Sequence, residues 1–393
     1  MDSRAVWLNE LEHPTGEFFA AFARRVREAG GARGAAREAV LHLAPRVDLG
    51  GWPHGLLGLG AVLGLEEHLS ESAFLRLLAT QLHACVQEAR LDPCSATPRE
   101  EPGDGDFARL LLLVAGDMAN VGHKAVMVCR LGELASRLGC PGALLPLAAR
   151  VAAAPPSDRS WNALVRRRLG GSQIPVAPGP ADLDPERHRE GAREICDLGM
   201  LAMLDAFTAR MKAGAHEGDL LTTLVLAASE KQLDARPDLE AGTSWNFVYL
   251  AILPALGASE AWGQAAAMVN FFPSEEPEDR LQAETPLAPT DPGAALLEAI
   301  LDGESGLALG LLPILRTRCG DAGVLRVLAE AVSVNDPIFN RSHQVLALAA
   351  ALELLPRINE SAKGPLLQAL AKFLACSQGS GELGRMAEKT LGG

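Results

Sequence analysis

His343-Gln-Val-Leu-Ala-Leu-Ala-Ala-Ala-Leu-Glu-Leu354 decides how the rest of this chain is read. Ala and Leu are the strongest helix formers, so a run of this composition predicts a helix. Its apolar residues surround the helix instead of forming one stripe, and such a helix belongs in the interior. Three other stretches align with it without a gap: His54-Gly-Leu-Leu-Gly-Leu-Gly-Ala-Val-Leu-Gly-Leu65, His123-Lys-Ala-Val-Met-Val-Cys-Arg-Leu-Gly-Glu-Leu134 and Trp245-Asn-Phe-Val-Tyr-Leu-Ala-Ile-Leu-Pro-Ala-Leu256. Each predicts a central helix with a ring-bearing side chain one or two residues inside its start. Ser244, Ser342 and Pro53 precede the rings at positions suited to an N-cap, and Gly122 does so less well.

Around these helices the chain is 48% hydrophobic but only 4% aromatic. Small and straight side chains favour packed helices over a β-rich fold, and the fold class predicted is all-α. A net charge of -13 and a pI near 5.2 argue against binding a phosphate backbone. The one basic cluster, Arg166 to Arg168, reads as a solvated helix end. No apolar run reaches the roughly 20 residues of a membrane span. Met1 to His13 lacks the apolar core of a secretory signal, so a cytoplasmic location is expected. Seven cysteines without a Cys-x-x-Cys pair read as reduced, buried thiols. The apolar excess is compatible with a homodimer or a redox partner protein.

Three stretches rich in Pro, Gly and acidic residues read as surface loops: 92–106, 155–190 and 273–293. The middle one holds a Pro/Gly-rich linker, 171–185, that divides a single all-α unit into halves of about 1–170 and 186–393. The halves repeat an order: a short helix (Ala35 to Leu43, or Leu220 to Leu233), a turn (Arg236 to Thr243 in the second half), a ring-headed helix, an acidic loop, a further helix and a second ring-headed helix. His54 then answers to Trp245, and His123 to His343. The expected product is a pseudo-duplicated helical bundle with the four ring-headed helices inside.

Three imidazoles entering one core are the chemistry this pattern offers. A histidine in a first helical turn feels the positive end of the helix dipole, which favours the neutral ring, the form that ligates metal or accepts a proton. If the heads meet, His54, His123 and His343 provide a three-nitrogen site for Fe or Zn with an open position. His123 and His343 would then be catalytic, with Trp245 and Tyr249 forming the wall against a bulky, apolar small molecule in a cavity between the halves. Equally, each histidine caps or packs its helix in a binding or scaffold protein, since no local ligand spacing such as His-x-x-x-His is present.

Glu133 and Glu353 stand ten residues beyond His123 and His343, about 15 Å along the helix and on another face, so neither shares a metal with its own histidine. Glu230 is a candidate general base if buried. Asp117, Asn120, Asn335, Asp336 and Asn340 either orient imidazoles or make turns. His83 and Cys85, at i and i+2, face apart, and His13, His42, His68, His188 and His216 carry no assigned role. There is no Walker A loop, no Gly-x-Ser-x-Gly and no Gly-x-Gly-x-x-Gly after a strand, which argues against a nucleotide cofactor and α/β-hydrolase chemistry.

Gly122-His123-Lys-Ala-Val-Met-Val128 resembles the Gly-His-Lys-Ala-(Ile/Val) helix start of a group of bacterial helical proteins, some with a Rieske-type domain. More distantly it is similar to the questin oxidase-like family. Leu224-Val-Leu-Ala-Ala-Ser-Glu-Lys-Gln-Leu233 followed by Thr243-Ser-Trp-Asn-Phe-Val-Tyr249 falls where those proteins have an Ala-rich helix and then a Trp-Asp-x-x-His-His helix start. The resemblance implies an oxygen-dependent oxidoreductase. This chain departs from it in lacking the paired histidines near Trp245 and the ligand motif of a Rieske cluster, so only His54, His123 and His343 carry over.

Overall fold

The computed structural model describes residues 10–11, 14–47, 53–89, 105–117, 122–154, 160–169, 174–235, 240–257, 259–272, 282–286, 289–334 and 342–377. Among them the protein is all-α, with 17 α-helices, two short 3-10 turns and no strand. In chain order the helices are α1 (Gly16–Glu28), α2 (Ala32–Leu43), α3 (His54–Gly64), α4 (Glu71–Glu88), α5 (Gly105–Val114), α6 (His123–Leu138), α7 (Pro141–Ala153), α8 (Ser160–Leu169) and α9 (Pro185–Asp197). They continue as α10 (Met200–Lys212), α11 (Glu217–Leu233), α12 (Glu240–Leu256), α13 (Ser259–Phe271), α14 (Pro292–Leu301), α15 (Ser305–Val334), α16 (His343–Leu354) and α17 (Glu360–Cys376). Helix α15 bends sharply at Gly320, whose φ of 67° lies in the left-handed region that only glycine adopts cheaply.

Four of these helices, α3, α6, α12 and α16, close a ring: α3 packs on α6, α6 on α12, α12 on α16, and α16 back on α3. Their burial follows from composition, because a helix apolar on every face loses least free energy when neighbours cover all of it. Across the ring α3 stands opposite α12 and α6 opposite α16. Such an order is what a two-fold axis relating the paired heads would produce. Outside the ring, α4 covers α3, α7 covers α6, and α11 and α13 cover α12, while α15 and α17 pack against one another and against α16.

The contact of α3 with α4 depends on glycine. A Cβ at Gly58 would lie 2.5 Å from Gln81 Nε2, and one at Gly55 would lie 3.0 Å from the Cys85 Cα. The close approach lets Gln81 donate to the Gly55 carbonyl at 2.8 Å and to Ser342 Oγ at 2.9 Å. Glu88 accepts from the Gly55 N–H at 2.6 Å. A carboxylate there satisfies a first-turn donor that has no partner within its own helix. One helix thereby fixes the starts of two ring helices from different halves.

Several expectations need correction. Helix α12 begins at Glu240, so Ser244 lies inside the helix and Trp245 is more than a turn from its start. Ser342 does occupy the N-cap of α16, but in a left-handed conformation (φ 62°) and without a side-chain capping bond. The stretch 155–190 is not one loop: it contains α8 and the first turn of α9. In 174–184 the extended chain docks on α11 through Glu217 N to Ala177 O and Gly218 N to Gly179 O. Cys85 and Cys140 are buried as expected, whereas Cys319 and Cys376 are exposed. Residues 105–106 of the expected loop over 92–106 begin α5, and 240–243 of the expected turn over 236–243 form the first turn of α12; 92–104, 236–239 and linker residues 171–173 lie outside the described residues, as do Asn120, Asn335, Asp336 and Asn340.

Candidate metal centre

The heads of the ring helices bring His54, His123 and His343 together. Ring centroids lie 5.4 Å apart for His54 and His123, 5.3 Å for His54 and His343, and 6.4 Å for His123 and His343. One nitrogen from each can be chosen so that all three lie within 4.8 Å of one another. This triad could hold a metal ion. His54 and His123 are buried, and although His343 as a whole is partly exposed, both its ring nitrogens are shielded from solvent, as is Nε2 of His54.

Trp245 occupies the fourth place in the ring. Its indole stacks on His123 with centroids 3.8 Å apart and planes 10° from parallel, and its centroid is 5.3 Å from that of His343 and 5.9 Å from that of His54. This close parallel stacking covers one face of the imidazole and sets its plane. Tyr249, one turn further along α12, is fully buried. Burial, and after it the charge of Glu260, hold its hydroxyl well above the usual tyrosine range, so it stays protonated at neutral pH.

Helices α6 and α16 are entered through the same backbone device. Gly122 has φ 78° and ψ 12°, and Ser342 has φ 62° and ψ 11°, so both turn left-handed immediately before the histidine. Ser342 is the only described residue other than glycine with positive φ. A left-handed serine costs roughly 1–2 kcal/mol, which the surrounding packing and the bond from Gln81 must offset. Beside the head of α6, Lys124 is buried and paired with Asp117 at 2.6 Å, and it also donates to the Ala154 carbonyl at the end of α7. Asp117 is thereby placed on a lysine at the helix start.

Further down the ring, the carboxylates spaced ten residues from His123 and His343 meet on one guanidinium. Arg130 donates to Glu353 through both terminal nitrogens, at 2.7 and 2.9 Å, and to Glu133 at 2.8 Å. These contacts also show that α6 and α16 run in the same direction. Arg137 reaches the Gly60 carbonyl at 3.0 Å, which aligns α3 with them. Three helix N-termini therefore point into the imidazole cluster, and their positive ends would favour an anionic co-ligand beside any bound cation.

Other predicted positions do not join the cluster. Glu230 is exposed on α11. His83 bonds the Leu11 carbonyl. His188, passed over in the sequence because of its polar neighbours, is fully buried and pairs with the buried Asp219 at 2.9 Å. Arg130 was equally legible and equally passed over: it stands seven residues after His123, on the same face of α6. Comparison with known protein families, with curated proteins and with solved structures finds no match to this chain. Fold and site together define a class: an all-α protein with a buried three-histidine cluster at the meeting point of four core helices.

Proposed function

We propose that this protein is a metal-dependent, oxygenase-like oxidoreductase acting on an apolar small molecule at the His54–His123–His343 cluster. The observation that carries the reading is the convergence of three imidazoles, distant in sequence, to within 4.8 Å. Three neutral nitrogen donors suit Zn or Fe, and three protein ligands leave a coordination position free. A bound set would need nitrogens about 3.4 Å apart, so the rings would draw together on loading. The ion would supply a Lewis-acidic centre and, as iron, a one-electron couple.

The chain's own residues would do the rest. Trp245 holds the plane of His123 and closes one side of the site, while Tyr249 keeps a protonated hydroxyl one turn away. Apolar walls exclude water from the centre. The resemblance around His123 supports an oxidoreductase over a hydrolase. A non-catalytic scaffold is favoured by one observation, the stacking of Trp245 on His123, which a purely structural core would also use.

Metal analysis separates the two. Purified protein is expected to carry stoichiometric iron or zinc, lost in both His123→Ala and His343→Ala. Metal-free protein whose two variants stay folded would favour the scaffold. Dioxygen consumption with iron but not zinc would distinguish redox from Lewis-acid chemistry.

A further inference from the structure

Helices α3, α6 and α16 carry the three histidines at their heads and, further along, separate into a groove of about 100 Å³. Its inner end is formed by Leu57 and Leu346, each three residues beyond a histidine of the cluster and so about 4.5 Å along the helix axis from it. Helical side chains lean toward the N-terminus, which brings both leucines up against the imidazoles. The middle is lined by small residues, among them the half-buried Ala349. Arg130, Arg137 and Glu353 form the mouth.

We infer that this groove is the binding and access route to the imidazole cluster for a slim, uncharged, largely apolar molecule narrower than a ring system, with Leu57 and Leu346 as its inner gate. The inference rests on reading the cluster as the functional site. Three observations carry it. The same three helices build the cluster and the groove, so the two share an axis. The imidazole nitrogens of His343 and Nε2 of His54 are shielded from solvent, so a reactant needs a path to them. The volume is below the roughly 150 Å³ of a cavity that takes benzene, so a dioxygen-sized molecule or a slim chain fits and a ring system does not. At the mouth, Arg130 bridges Glu133 and Glu353, and Arg137 beside them balances the second carboxylate. Like the apolar floor beneath it, that neutral rim selects against ions.

The route can be tested whether or not a metal binds. Diethyl pyrocarbonate modifies accessible imidazole nitrogens, and peptide mass mapping reads the rate at His54 and His343 separately. Leu57→Ala and Leu346→Ala are expected to raise that rate by about tenfold, equivalent to roughly 1.4 kcal/mol less opening free energy. Ala349→Phe, which fills the groove, is expected to lower it by a similar factor. Leu59→Ala removes an equally buried leucine of α3 outside the groove and is expected to change nothing. If Leu59→Ala accelerates modification as much as Leu57→Ala, or Ala349→Phe leaves it unchanged, reagents reach the rings by another path and the inference is overturned. Cobalt uptake by the same proteins keeps the two claims apart. No uptake with the expected order of modification rates refutes the metal and keeps the route; uptake without that order does the reverse.

Discussion

Ser342 shows how much a single position contributes to the site. Its hydroxyl accepts from Gln81 while its backbone stays left-handed, so Ala and Gly substitutions separate the two effects. Both lose the hydroxyl, but only glycine relieves the strain. Ser342→Gly is expected to be more stable than Ser342→Ala by about 1 kcal/mol in urea unfolding. Buried thiols, Cys85 and Cys140 among them, contribute to the alkaline limit, and two can be followed in particular. Burial first, then the charge of Glu133, pushes Cys129 from 9.0 up to about 12, and burial, then Glu230, does the same for Cys196. The folded protein holds these protons more tightly than the unfolded chain. The stability they confer is intact below about pH 9 and is lost as pH rises toward 12. Thermal midpoints should fall across that window, and less steeply in a Cys129→Ser/Cys196→Ser variant.

At the scale of elements, buried cations hold helix ends that the sequence leaves open. Lys372 on α17 donates to the carbonyls of Gln232, Leu233 and Ala235 at 3.3, 2.8 and 2.9 Å, closing the C-terminus of α11. Replacing it with methionine keeps the bulk and abandons the carbonyls, at an expected cost of about 3 kcal/mol in equilibrium unfolding. Arg130 couples α6 to α16 more strongly than it couples α6 to itself. The Glu353 contact is bidentate, and the Glu353 side chain is 34% exposed against 45% for Glu133. Double-mutant cycles should therefore give a coupling of about 1 kcal/mol for Arg130 with Glu353 and less than half that with Glu133, both weakened by salt.

Over the whole molecule, the two halves interlock. Each supplies two helices to the ring, and Arg76 of α4 donates to the Ser333 carbonyl at 3.0 Å and to its hydroxyl at the end of α15. Each half covers the outer faces of its own ring helices but leaves the faces that meet in the ring to the other half, so 1–172 and 173–393 expressed separately are expected to aggregate. Co-expressed, they are expected to elute together as one folded species. No helix among the described residues is long and apolar enough to cross a membrane.

Helix type, the burial of α3, α6, α12 and α16 and the histidine at the head of three of them were legible in the sequence, because composition and period act locally and leave their mark on every turn. Starts were less legible: Trp245 lies well inside α12, since packing against α11 and α13 extends a helix past the point where local caps would begin it. The meeting of His54, His123 and His343, the shared Arg130 and the groove beneath them are the work of tertiary structure. Those contacts join histidines 69 to 289 positions apart in the chain, and only the order in which four similar helices close their ring decides which heads face one another.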